Sequence, residues 1–238
     1  LYSLFCDMVA KVECNLARVI AEGKPSLTAL TAAAARAAHL IVDDDPPIFA
    51  DTLAAAMLGE RAEELIGYHL AYRTHPVLAG ARPQVTCRSR YTEDHLAHSI
   101  DRGIGQYAIL GAGLDSFARR SRLAGHVRVF DIDHPATQAW KRRVQPAPDG
   151  VTLVPADLAR DALGDRLRQA GFGFTEPALV SWLGVTMYLD EGAIGQTLAV
   201  IGGFAPGTEI IVDYMLPAGL CDAAGDSYAA QVGQASAE

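Results

Sequence analysis

Residues 111–115 read Gly-Ala-Gly-Leu-Asp and directly follow the apolar run QYAIL at 106–110. Two glycines behind a strand let the backbone turn sharply and come close to a nucleotide-like ligand. Asp115 is the unexpected member of that turn. A pyrophosphate ligand needs the pattern G-x-G-x-x-G and a helix N-terminus aimed at anionic oxygens. Here Ser116 holds the third glycine position, and Asp115 stands where phosphate oxygens would come. Two like charges in a partly dry loop repel by roughly a few kcal/mol. A cationic ligand escapes that repulsion. The competing reading of Asp115 is a cap for the helix that follows.

More acids follow the next apolar runs. VRVFDID (127–133) ends in Asp131 and Asp133, and VTLVPAD (151–157) ends in Asp157. PALVSWLGV (177–185) ends in Leu183-Gly184-Val185, and a last run is TEIIVDY at 208–214. Segments of helical composition separate these runs, so strands and helices alternate from about residue 106 onward. That alternation predicts βαβ units and a mostly parallel, doubly wound sheet with its ligand beyond the carboxyl ends of the strands. Asp131 and Asp133 flank Ile132 and share one strand face. One of them is expected to be solvated or turn-forming, and Asp133 is favoured as the ligand residue. An acid about twenty residues after the glycines accepts from ribose hydroxyls. Asp157 suits an adenine amino group, with helix capping as its alternative. S-Adenosylmethionine meets these demands, because it keeps the adenosine and replaces phosphates with a sulfonium and an ammonium.

Upstream, apolar spacing predicts a helix over residues 1–22, which EGKPS interrupts. Ser26 is placed to cap the Ala-rich helix LTALTAAAARAAHL, and VDDDPPIF stops it. ADTLAAAMLGERAEELIGYHLAYRT continues as helix. RSRYTEDHLAHSIDRG reads as a short helix with Thr92 as its N-cap. The expected division is a helical cap region over 1–105 and a ligand-binding core over 106–238.

The stretches ILGAGLDSFARR, VFDIDHP, PADL and VSWLGVTMYLDE, with CRSRYTEDHL upstream, resemble the bacterial branch of the leucine carboxyl methyltransferase family. The resemblance covers about residues 25–215. It implies a class I, Rossmann-like methyltransferase fold with a helical N-terminal extension, and S-adenosyl-L-methionine as cofactor. By position it assigns Gly111, with Gly113, to the methionyl part of the cofactor and Asp133 to the ribose, with Asp131 beside it. Asp157 and Leu158 frame the adenine, and Arg88 grips the cofactor carboxylate with Arg90 as a possible second. The alternative for both arginines is a surface pairing with Glu93 or Asp94. Some members carry Glu where this chain has Leu183, a position lining the cofactor pocket. The family fold also ends in an antiparallel hairpin, and the polar, Ala-rich residues 220–238 show no strand pair. The chain opens on Leu1 and is read as stopping before that hairpin.

The implied activity is O-methylation of a carboxylate or hydroxyl on a small molecule. A carboxylate is nucleophilic as it stands, whereas a hydroxyl needs a base, for which His95, His98 and Tyr188 are candidates. His95 and His98 stand at i, i+3 and lack further ligands in sequence, so no metal is expected. The alternatives are a dinucleotide-dependent oxidoreductase, suggested by the glycine turn, and a catalytically inactive relative that binds S-adenosylmethionine. The net charge of −8 excludes a general nucleic-acid or anionic-membrane surface. Cys6, Cys14, Cys87 and Cys221 form no CxxC pair and read as free thiols, and no run is long enough to span a bilayer. A cytoplasmic protein is expected, with self-association through the first helix or an open sheet edge.

Overall fold

A computed structural model describes residues 25–216 and 220–237. The helix expected over residues 1–22 lies outside the described residues. The first element is helix α1 (Leu27–Val42), ended by the acid and proline run. Ser26 is at its N-cap but makes no capping bond. Its hydroxyl pairs with Thr28 Oγ1 at 2.6 Å instead. The next stretch is not one helix but two, α2 (Ala54–Met57) and α3 (Ala62–Ala71). Gly59, at φ +55°, breaks them apart.

The short helix expected around Thr92 is part of a 26-residue helix, α4 (Pro76–Asp101). Pro76 occupies its first turn, where a missing N–H costs nothing. Pro83 lies inside the helix and removes one further donor. Thr92 is therefore no cap: its hydroxyl donates to the Arg88 carbonyl at 2.8 Å, one turn back.

The remainder alternates as expected: β1 (Gln106–Leu110), α5 (Phe117–Arg120), β2 (Arg128–Asp133), α6 (Pro135–Val144) and β3 (Val151–Pro155). After these come α7 (Leu163–Gln169), β4 (Ala178–Trp182), α8 (Glu191–Gly202), β5 (Glu209–Val212) and α9 (Ala223–Ala237). The five strands pair in parallel in the order β3-β2-β1-β4-β5. The strand order reverses between β1 and β4, which opens a crevice at their carboxyl ends. Among the described residues β5 has no outer neighbour, and a helix, not a hairpin, follows it.

Both faces of the sheet are covered, so the central strands are mostly apolar, with Gln106, Asp131 and Ser181 as buried polar members. Ala108, Leu110, Phe130, Ile132, Val180 and Trp182 pack against Leu163 and Leu167 of α7 and Ile201 of α8. Tyr107, Ile109, Val129 and Leu179 on the other face meet Leu96 of α4. A third cluster joins Leu30, Ala33 and Ala34 of α1 to Met57, Leu65 and Leu114. These clusters hold α1, α3 and α4 over the strand ends.

Asp131 corrects the expectation of one solvated acid. It is 1% exposed and pairs with the fully buried Lys141 of α6 at 2.5 Å. Gln138 donates to its backbone carbonyl. Removing one partner from a buried pair strands the other charge without water. Lys141→Met should therefore cost about 3–5 kcal/mol in urea unfolding. Asp131→Leu/Lys141→Met should recover most of that loss, since an apolar pair leaves no charge behind.

Candidate functional site

The loop after β1 is held by backbone and carboxylate together. Gly111 and Gly113 have φ of +65° and +52°, a region that side chains disfavour. A Cβ on Gly111 would stand 2.4 Å from Val185 Cγ2, so the β1 and β4 loops touch only because residue 111 is glycine. Ala112 N–H donates to the Ile132 carbonyl at 3.0 Å and carries the β1–β2 ladder into the loop. Gly113 N–H donates to Asp133 Oδ2 at 2.5 Å, and His134 N–H donates to Asp133 Oδ1 at 2.6 Å. Burial pushes the Asp133 carboxyl up, the two amides pull it down, and the Asp131 charge adds to the rise. Asp115 Oδ1 accepts from Phe117 N–H at 2.7 Å and starts α5. Ser116, in place of the third glycine, donates its hydroxyl to Asp51 at 2.5 Å.

The other strand ends are built similarly. Asp157 Oδ1 accepts from Ala159 N–H at 3.0 Å, which closes the turn after β3, and Leu158 packs on the core. After β4, Gly184 at φ +69° lies against the Arg88 guanidinium, where a Cβ would approach Nη2 to 2.6 Å. Gly184 N–H donates to Asp213 Oδ1 at 2.6 Å, and Arg88 Nη1 pairs with Asp213 Oδ2 at 2.9 Å. Arg88 is thus drawn to Asp213, while Arg90 alone makes the surface pair with Asp94. Asp213 was not singled out in the sequence. It follows the last strand, so the rule that found Asp133 and Asp157 applies to it equally.

These residues converge on one crevice of about 940 Å³ at the carboxyl ends of the strands. It is lined by Arg88, Gly111, Gly113, Asp115, Asp133, Asp157, Leu158, Leu183 and Tyr188, with α1 and α4 as its walls. Asp131 is not among the lining residues, being turned toward α6. His95 and His98 are also elsewhere. His95 Nε2 pairs with Glu209 Oε2 at 2.8 Å, at the amino end of β5, where Ser99 and Arg102 bind the same carboxylate. His98 is exposed, with Nδ1 on the Asp94 carbonyl. Of the three base candidates, only Tyr188 lines the crevice.

Two other lining groups were not read as site residues in the sequence. Glu93 of α4 pairs with Arg120, and its burial raises the carboxyl. Its neighbour Asp51 is also buried, which alone would raise its carboxyl. Arg36 at 2.8 Å and the Ser116 hydroxyl nevertheless hold it below the ordinary range. His69 of α3 is 4% exposed. Burial, helped by the Arg82 charge and opposed by Asp43, lowers its imidazole to about 4.

The family pattern for leucine carboxyl methyltransferase matches residues 29–202, well over half of the chain. The chain belongs to the leucine carboxyl methyltransferase family. Similar proteins include one from Bacillus subtilis (strain 168), provisionally named S-adenosyl-L-methionine-dependent methyltransferase YktD. It is 30% identical over 220 residues, covering 81% of this chain and 72% of that protein. A Mycobacteroides abscessus protein with the same provisional activity name is 32% identical over 196 residues, 78% of this chain and 63% of its own length. A third, FRAAL3836 of Frankia alni, is 32% identical over 143 residues and matched over 50% of its length. Membership of a methyltransferase family leaves the oxidoreductase alternative without support, in keeping with Asp115 and Ser116 in the glycine turn. Among the described residues of this family member, no helix is long and apolar enough to cross a membrane.

The lowered His69 value fixes a sign for acid stability. Above pH 6.5 the ring is neutral whether the chain is folded or not. Between pH 6.5 and about 4 the unfolded chain takes up a proton that the native state refuses, so stability falls with pH. Below about 4 both forms are protonated and the loss stops growing. From pH 7 to pH 5 this amounts to about 2 kcal/mol. Urea unfolding of His69→Asn should show a pH 7-to-5 decline smaller than the wild type's by that amount.

Proposed function

We propose that this family member is an S-adenosylmethionine-dependent O-methyltransferase acting on a carboxylate or hydroxyl of a small molecule. The observation that carries the reading is the charge on the crevice wall. Asp115, Asp133, Asp157 and Glu93 line one cavity around two left-handed glycines. The lining guanidiniums of Arg36, Arg88 and Arg160 are drawn to Asp51, Asp213 and Asp157. Such a wall suits a guest with positive centres and no phosphate.

The residues present fit that cofactor. Gly111 lets the β4 loop close against the β1 loop through Val185 at the methionyl end. Asp133 keeps acceptor capacity on two oxygens that each take one amide, enough for ribose hydroxyls. Asp157 and Leu158 offer an acceptor and an apolar surface to a purine. Arg88 presents its remaining donors to a carboxylate while Asp213 fixes its position. Leu183 supplies no carboxylate, and Asp115 and Glu93 are the acids left to face an ammonium group. When bound, S-adenosylmethionine supplies a methyl group already activated on a sulfonium. The protein's task is then to align the acceptor oxygen and exclude water. A carboxylate acceptor needs no base there. A hydroxyl must lose a proton, and Tyr188 is the crevice residue nearest that role by chemistry.

Calorimetry with S-adenosylhomocysteine and NADH tests the cofactor: binding of the first and none of the second is expected. Asp133→Ala should weaken S-adenosylhomocysteine by about tenfold to a hundredfold, the worth of charged hydrogen bonds. Binding of NADH, or indifference to Asp133→Ala, would overturn the reading. Radiolabelled methyl transfer followed by base treatment identifies the acceptor, since a carboxyl ester releases its label and an ether keeps it. A protein that binds S-adenosylhomocysteine and labels nothing in a cell extract is an inactive relative.

A further inference from the structure

The crevice continues beyond the cofactor residues along α4. Arg88 meets Asp213 at the level of the strand ends. Leu78 is ten residues earlier and stands about 15 Å further out along the helix axis. The wall between them presents Val77, Leu78, Ala81 and Val85, facing Leu65 of α3. Tyr228 of α9 closes this part, its ring lying against Gly80, where a Cβ would come within 2.6 Å of Cε2. The space as a whole, about 940 Å³, is at the upper end for a single small-molecule site, so it has room for cofactor and acceptor together.

His69 is set into this largely apolar wall along with Tyr68 and Gln84, and its chemistry is fixed from behind. Arg82 is 4% exposed. Its Nε donates to both oxygens of Asp43 at 2.9 and 3.0 Å, and Nη2 donates to the Arg73 carbonyl at 2.9 Å. Its Nη1 donates to the Leu78 carbonyl at 3.2 Å and faces His69 Nδ1 at 3.5 Å. A guanidinium only donates, so Nδ1 of the facing ring must be the bare nitrogen. The ring proton of a neutral His69 therefore sits on Nε2, which has no hydrogen-bond partner among the described residues. The charged groups facing the ring are Arg82 on α4 and Asp43 after α1.

The surroundings also set the acceptor's charge. Among the described residues no lysine lines the crevice, Arg36 and Arg88 are paired with Asp51 and Asp213, Arg160 lies beside Asp157 after β3, and Arg82 is held by Asp43. An anionic acceptor would meet no uncommitted cation in the apolar part. Resting on the methyltransferase reading above, we propose that His69 is a positioning residue for the methyl acceptor. Its Nε2–H donates a hydrogen bond to a carbonyl oxygen of an uncharged, largely apolar acceptor lodged between α3, α4 and α9. This makes His69 a donor, not a base.

Two measurements on the whole chain test this. Histidine-selective ¹⁵N NMR at pH 7 should show the neutral Nε2–H tautomer for His69, identified by its loss in His69→Gln. This needs no ligand and stands whether or not the methyltransferase reading holds. The second compares 4′-hydroxyacetophenone with 4-ethylphenol, similar in size but differing in the carbonyl, each titrated into protein saturated with S-adenosylhomocysteine. The ketone should bind about tenfold tighter to the wild type, the worth of one such bond. His69→Gln keeps a donor and should retain most of that preference, whereas His69→Leu should lose it with unchanged S-adenosylhomocysteine affinity. An imidazolium or Nδ1–H tautomer, equal binding of the two probes, or binding of neither overturns the proposal. Failure to bind S-adenosylhomocysteine overturns instead the reading on which it rests.

Discussion

The carboxylate of Asp133 is the point on which the site depends. One of its oxygens takes the Gly113 amide and the other the His134 amide. The first bond pins the glycine turn to the end of β2, and the second opens α6. Both amides would otherwise be unpaired donors in a crowded place, each costing a few kcal/mol if left dry. The acid is thus structural before any ligand arrives, which explains how a buried carboxylate is tolerated. Its lone pairs that remain point the chemistry of the whole crevice toward hydroxyl and cationic guests.

The second organising element is α4, which runs opposite to β5 and touches both of its ends. Arg88 reaches Asp213 just beyond the carboxyl end, and His95 and Ser99 reach Glu209 at the amino end. Seven residues of helix, about 10 Å, therefore separate a site residue from a foot of the sheet. This is why CRSRYTEDHLAH contributes Arg88 and Glu93 to the crevice and loses His95 and His98 from it. The Glu209 carboxyl, shared by Ser99, Arg102 and His95, is lowered to about 2, which marks a fixed anchor and not a proton carrier.

Much of the strand layer was legible because buried parallel strands leave no choice of residue. QYAIL, RVFDID and ALVSW are apolar runs bounded by turn residues, and all three are strands. The residues just after them reach the crevice because topology alone decides what lies at a strand's carboxyl end. Helix α4 was legible only in part. Thr92 read as an N-cap, yet Thr86, Ser89, Thr92 and Ser99 all bond back to carbonyls four residues earlier and stay within the helix. Asp131 was misread for a different reason. Spacing puts it on the face of Asp133 but says nothing about Lys141, ten residues on, which closes over it. Asp213 was open to the strand-end rule, whereas His69 was invisible because its role arises from pairing with Arg82, a contact between separate elements.

The arrangement of charge explains why the crevice stays anionic although arginines surround it. Arg36 and Arg120 both reach Asp51, and Arg120 also holds Glu93, so these guanidiniums neutralise acids from behind the wall. Ser116 completes the set by donating to Asp51, and Arg120 in turn donates to the Ser116 hydroxyl. That hydroxyl stands where a dinucleotide-binding turn has glycine. Its place at 116 ties α1, α5 and the Asp51 loop together and leaves Asp115 at the crevice with no direct ion pair among the described residues, the Arg119 and Arg120 charges acting on it from further off. The same substitution that closes the turn to a pyrophosphate therefore fastens the helical layer over it. Ligand preference and packing of the cap helices thus share one cause in the six residues after Leu110.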